Sequence, residues 1–256
     1  MEIMEITCVT SRYLPNMRYI ARLLEVDCAI TLDLAPLPNQ NKNSFISRNR
    51  IIDKKGNVFW VSLPIKRKGI KLIKDARIDS THHSWIEKHI RSIANTYPKH
   101  EKFAGDFLVR LEKVLEASDG TLININSLTL SLILELLNIK NIKLVKQSSI
   151  LQVHNKQHRL DVTRALNAST YVAGHVEWII MEQLGLIVDM KENGISVIRS
   201  PDLDFSVFPR NSTIELSCLH SICTIGFEKS HELIENMVKE LKGKRKTNNE
   251  LCLLIK

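Results

Sequence analysis

The feature that most constrains the fold is the rhythm of the first few dozen residues. Residues 4–9 (MEITCV) are an apolar run of strand length. After a turn over residues 10–15, NMRYIARLLEV places Met17, Ile20, Leu23 and Leu24 at helical spacing, and residues 28–34 (CAITLDL) form a second strand-like run. Strand, helix, strand is the opening of an α/β domain, in which ligands sit beyond the strand ends. The turn has no glycine, so it is no dinucleotide-binding fingerprint.

The rest of the chain keeps to this plan. Residues 35–45 (APLPNQNKNSF) are a Pro- and Asn-rich loop and a candidate flap, and residues 45–52 and 57–65 are two strands joined by a DKKGN hairpin turn. Residues 79–97 are predicted helical, with Ser84 and Glu87 as a capping box and Trp85, Ile86, Ile90, Ile93 and Tyr97 as the apolar stripe. Residues 103–117 and 126–137 are further helices, and 141–146 a strand. From His158 the sequence reads helix (RLDVTRALN), strand (STYVAG), helix (VEWIIMEQLG), then two strands, LIVDM and ISVIR. Residues 212–224 and 229–241 close it as helices, and KGKRKTNNE reads as a frayed end. The expectation is one mixed α/β domain over residues 1–245, with helices packed on a central sheet and a tail over 246–256.

Charge is distributed unevenly. Residues 42–102 hold fifteen Lys/Arg against five Asp/Glu, a net +10, whereas the whole chain carries only +8. A surface of this kind attracts anions. The five cysteines (Cys8, Cys28, Cys218, Cys223, Cys252) form no CxxC pair and read as reduced, buried thiols. No apolar run approaches the ~20 residues of a membrane span, and the first residues do not have the form of a signal peptide. The expected compartment is the cytoplasm.

Several residues are candidates for chemistry. Arg48 and Arg50 share one face of a strand, with Asn49 on the other, and two guanidiniums on one face make a fork for phosphate or carboxylate. The same pattern also suits a solvated strand face. Lys66, Arg67 and Lys68 continue the charge, and Lys88 and Arg91 lie three apart on the following helix. His89 borders an apolar stripe, where a histidine either packs or acts as an acid–base group. His82, His83 and His89 lack the spacing of a helical metal pair, so no metal site is expected. Tyr171, Gly174 and His175 lie where a strand meets a helix, where Gly174 would admit a ligand to the backbone and the helix N-terminus would favour an anion. Ser217 and His220 are helical neighbours without an acid to make a triad. No residue pattern identifies a cofactor.

The order RNRI, a strand ending LPI, W-x-x-K-H, Y-P-K-x-x-x-F and T-Y-V-A-G resembles the WbqC-like family over about residues 5–240. Arg48 to Ile51, Leu63, Pro64, Trp85, His89, Tyr97, Tyr171 and Gly174 match the family pattern, as do Pro15 and Tyr19. Val9, Thr10 and Ser11 stand in place of its His-Gln-Pro turn, Arg18 in place of a glycine, Ala173 in place of a serine and His220 in place of an aspartate. The resemblance implies a role in surface-polysaccharide or modified-sugar biosynthesis, as an acyl- or aminoacyltransferase acting on an amino sugar. The implied partners are an anionic small molecule (a sugar nucleotide or carrier-bound thioester) and an acidic carrier protein. Arg48, Arg50 and Lys66 would hold phosphate, and His89 or His175 would move protons. The alternatives are a non-catalytic adaptor and a nucleic-acid-binding protein. Only 5% of the residues are aromatic and no nucleic-acid-binding signature is present, which weighs against the latter.

Overall fold

The computed structural model describes residues 4–38, 44–53, 55–79, 81–82, 84–97, 102–203 and 216–254, with side chains in the final helix described through Arg245. Strands β1 (Glu5–Val9) and β2 (Cys28–Thr31) flank helix α1 (Met17–Leu24), as the opening pattern requires. Asn16 starts this helix by accepting a hydrogen bond from the Tyr19 backbone N–H at 2.9 Å. Met17, Ile20 and Leu23 are buried on its inner face, each contributing roughly 1.5–3 kcal/mol.

A long insertion then leaves the sheet. It contains the antiparallel hairpin β3 (Arg48–Ile52) and β4 (Val58–Ser62), the short ribbon β5 (Ile65–Lys66) and β6 (Arg77–Ile78), and helices α2 (Trp85–Thr96), α3 (Lys102–Glu116) and α4 (Leu122–Leu136). The chain returns through β7 (Leu144–Lys146), α5 (His158–Ala165), β8 (Thr170–Ala173), α6 (His175–Gln183), α7 (Leu186–Glu192) and β9 (Ser196–Arg199). Helices α8 (Cys218–Ile225) and α9 (Phe227–Leu254) follow, and α9 runs through most of the expected tail.

Five strands make one parallel sheet in the order β7-β2-β1-β8-β9. The central strands are buried, which explains why they read as continuous apolar runs. This is the expected α/β domain with helices packed on a central sheet. The chain winds outward from β1 in one direction, to β2 and β7, and then in the other, to β8 and β9. The order therefore reverses between β1 and β8, and in open α/β sheets the crevice beyond the strand ends at such a reversal is where ligands bind. Arg245 of α9 ties the opposite end of the sheet, reaching Glu5 at 2.6 Å and the buried Glu25 at 3.5 Å.

Several local expectations are corrected. LIVDM is helix α7, not a strand: Leu186, Ile187 and Met190 are buried while Val188 is 58% exposed, a helical spacing that no pleated strand produces. Left-handed Gly185 (φ 72°) begins it. Helix α2 starts at Trp85, because Ser84 adopts a left-handed φ of 54° and makes no cap bond. The Ser84–Glu87 capping box does not form, and Glu87 instead pairs with Arg91. Helix α4 starts at Leu122, capped by Thr121. Residues 39–43 of the expected flap, His83, Pro98, Lys99 and 212–215 lie outside the described residues.

Candidate functional site

The turn between β1 and α1 carries the site, and it is an unusual piece of backbone. Leu14 takes a positive φ of 42°, costly for a non-glycine residue. Two buried side chains hold it there. The Asn49 amide donates to the Leu14 carbonyl at 2.6 Å and lies 3.4 Å from that of Tyr13, and Ser217 Oγ donates to the Leu14 carbonyl at 2.8 Å. The backbone N–H groups of Ser217 and Cys218 donate to the Arg50 and Pro15 carbonyls at 2.9 Å. The RNRI strand and the Leu-Ser start of α8 thus converge on one turn and fix its path. That turn presents Arg12.

A cleft of about 690 Å³ opens beyond the ends of β1 and β8, at the reversal of strand order. This is the size of a small-molecule site. Arg12, Arg18, Arg22, Arg50 and Arg159 line it, together with Glu177, His175 and Gly174. Every basic side chain of fixed charge among the described residues of its wall is an arginine, the cation whose planar fork suits phosphate and carboxylate. The N-termini of α1 and α6, capped at Asn16 and Gly174, also reach it, and each adds a partial positive charge.

Beneath the cleft lies a charge network. Glu177 receives Arg22 at 2.9 Å, Arg159 at 2.7 Å and the Tyr171 hydroxyl at 2.7 Å. Tyr171 Oη in turn accepts from the Cys8 backbone N–H at 3.2 Å. Burial works against the Arg159 charge, and the Glu177 carboxylate outweighs it, so its pKa is held above the ordinary value. Burial also pushes the Tyr171 hydroxyl well up and the Cys8 thiol to about 12, which keeps both protonated. Two arginines on one carboxylate leave a net positive charge.

Arg12 differs from these. Its guanidinium lies 5.1 Å from the Tyr19 ring centroid and 5.5 Å from that of Phe45. Its buried Nε has no hydrogen-bond partner among the described residues. Burial depresses its pKa, Arg22 and Arg18 push it the same way, and no carboxylate among the described residues acts on it. Arg50 also approaches Phe45, at 5.4 Å from its centroid, so one aromatic ring lies near two guanidiniums.

His175 stands at the mouth of the cleft. Its Nδ1 is 3.6 Å from Asp202 Oδ2 and is also contacted by the Arg199 guanidinium. Asp202 holds Arg18 as well, at 3.3 Å. Asp202 and Arg199 thus fix the orientation of the imidazole ring, which lines the cleft.

Other residues singled out in the sequence lie elsewhere. Arg48 stacks on Trp60 at 4.1 Å and does not line the cleft. Asn49 is the turn clamp, and Lys66 is exposed on the β5–β6 ribbon. Tyr171 lies under the cleft floor. Gly174 lines it, but the group that approaches its backbone is Arg22. His89 is buried against Tyr13, whose hydroxyl is 2.7 Å from its Nε2, and burial pushes its pKa down to about 4. His220 Nδ1 is 2.6 Å from the Tyr97 hydroxyl. No cluster of metal-ligating side chains occurs among the described residues, and no described helix is long and apolar enough to cross a membrane.

Arg12, Arg22, Arg159 and Glu177 are charged cleft residues that the sequence alone does not single out, and Arg18 is marked there only by standing in place of a glycine. Glu177 has one local signal, its place three residues after the Gly174 helix cap, where its carboxylate accepts from the Gly174 N–H at 3.3 Å.

Searches of curated proteins and of solved structures returned no match. A family model, that of the WbqC-like protein family, matches residues 10–194, from the Arg12 turn through Glu177 and α7. That span is most of the chain, and the protein belongs to the WbqC-like protein family.

Proposed function

We propose that the arginine cleft binds the phosphate groups of a sugar nucleotide and that the protein transfers an acyl or aminoacyl group to the amino sugar it carries. The observation that carries the binding part is Arg12, a cation in a cleft wall on which no carboxylate among the described residues acts. A guanidinium withdrawn from water without a counter-charge costs stability, and a bound phosphate supplies the missing charge. Arg50 and Arg18, which line the same cleft, add to the same field, and the helix N-termini favour the same ligand.

The transfer part rests on the family resemblance and on His175. In this reading the sugar amine attacks a thioester carbonyl, the C–S bond breaks, and His175 accepts the proton that the amine loses and returns it to the departing thiolate, which leaves as the thiol. Asp202 orients the imidazole. The exposed Lys66, Lys68, Lys71 and Lys74 supply a surface for an acidic carrier that delivers the thioester. The test is an assay of free-thiol release and product mass, with acyl thioesters as donors and UDP-linked amino sugars as acceptors. Turnover that is lost in His175→Ala, with UDP-sugar binding retained, supports the reading. Turnover unchanged in that variant contradicts the role of His175, and UDP-sugar binding without turnover for any donor contradicts the transferase.

A further inference from the structure

One wall of the cleft is not polar. Val176 and Ile180 line it from α6 and are 69% and 42% exposed. They lie four apart, so they share a helix face, and Leu184, four further on, continues the line at 45% exposure. Ile179 (41%) flanks it, and Val188 (58%) of α7 lies beyond. Isolated exposed apolar residues are ordinary, but a contiguous stripe marks a surface that something covers. This stripe starts inside the cationic cleft and runs out of it over about 12 Å of helix.

The juxtaposition has a chemical consequence. At one end are Arg12, Arg50 and the N-terminus of α6, which hold an anion. Leading away from them is an apolar track with no fixed charge at Val176, Ile179, Ile180 or Leu184. We infer that the molecule held in the cleft is amphiphilic, an acylated sugar phosphate with its phosphate head among the arginines and its apolar acyl chain along α6. This inference rests on the anion-binding reading of the cleft. A membrane surface fits less well, because the cationic groups are recessed in the cleft rather than flanking the stripe.

The test compares methyl phosphate with octyl phosphate below its micellar concentration, using the intact protein, by calorimetric titration with methyl phosphate measured in competition. A fully buried methylene adds roughly fourfold in affinity, and a chain covered on one side about half of that free energy, or twofold. The octyl ester is therefore expected to bind about a hundredfold more tightly than the methyl ester. Ile179→Asn/Leu184→Asn, outside the cleft wall, is expected to remove most of that gain and leave methyl phosphate binding unaltered. Both ligands are expected to weaken in Arg12→Met. Equal affinities for the two esters overturn the inference while leaving the anion site intact. Failure of methyl phosphate to bind, or unchanged binding in Arg12→Met, overturns the anion site and the inference with it. A wild-type dimer that the Ile179→Asn/Leu184→Asn variant converts to monomer assigns the stripe to a second copy of the chain and also overturns it.

Discussion

Arg22 lies directly over the backbone of Gly174: a Cβ built at that glycine would stand 1.6 Å from Arg22 Nη1. The glycine is thus explained by a protein side chain that needs the space. Arg22 reaches across the end of β8 to Glu177 and to Thr7 Oγ1, at 2.9 and 3.2 Å, and joins α1 to α6 under the cleft. Gly174→Ala should force the guanidinium out of this position and lower stability by about 1–2 kcal/mol. The discriminating measurement is a double-mutant cycle in denaturant. In an Arg22→Ala background the Gly174→Ala cost should largely vanish, and strict additivity would contradict the relationship.

Glu177 is the shared counter-charge of Arg22 and Arg159, and its side chain is only 13% exposed. Glu177→Gln keeps an acceptor for Tyr171 but leaves both guanidiniums without their anion. The expected cost is roughly 3 kcal/mol, seen as a melting temperature lowered by roughly 5–10 °C. Phosphate affinity should rise in the same variant, because the cleft wall loses the one carboxylate among its described residues. A fall in affinity would mean that the ligand contacts Glu177 itself.

How much of this is legible in the sequence depends on whether the signal is local. Strands β1, β2, β8 and β9 and helix α1 follow from apolar runs and helical spacing, because buried parallel strands need continuous apolar side chains. LIVDM misleads for the same reason: four apolar residues in five carry no period, and left-handed Gly185 decides for a helix. Arg50, Gly174 and His175 are marked by a strand pattern and a strand-to-helix turn. Arg12, Arg18, Arg22 and Arg159 are not, because each is an ordinary polar residue of its own turn or helix. Their convergence comes from the reversal of strand order at β1, which no stretch of sequence contains. Asn49 illustrates the converse. It is conspicuous in RNRI, and its place is a buried clamp on Leu14.

The buried histidines give the protein a defined response to acid. Burial holds His89 at about 4 against an ordinary 6.5, and does the same for His158. Between these values the unfolded chain binds protons that the folded chain does not, so stability falls as pH drops from 6.5 towards 4. The loss is at most about 3 kcal/mol per histidine, and His89, enclosed by Tyr13 and Trp85, is the one to test. Denaturation midpoints at pH 7 and 4.5 should differ accordingly. The difference should shrink in His89→Gln, and an identical pH dependence in that variant would contradict the assignment.

The central claim is that Arg12 is held in the cleft wall for an anionic ligand. Arg12→Met keeps the length and apolar contacts of the side chain and removes the charge, so folding has little to lose. The most direct measurement is a calorimetric titration of a UDP-linked amino sugar into wild-type protein and Arg12→Met, with the melting temperature of each recorded. The account predicts binding that weakens with salt, at least tenfold poorer in Arg12→Met, in a variant that melts no lower than the wild type. Equal affinity in the two proteins, or a variant that binds poorly only because it is unfolded, would contradict it.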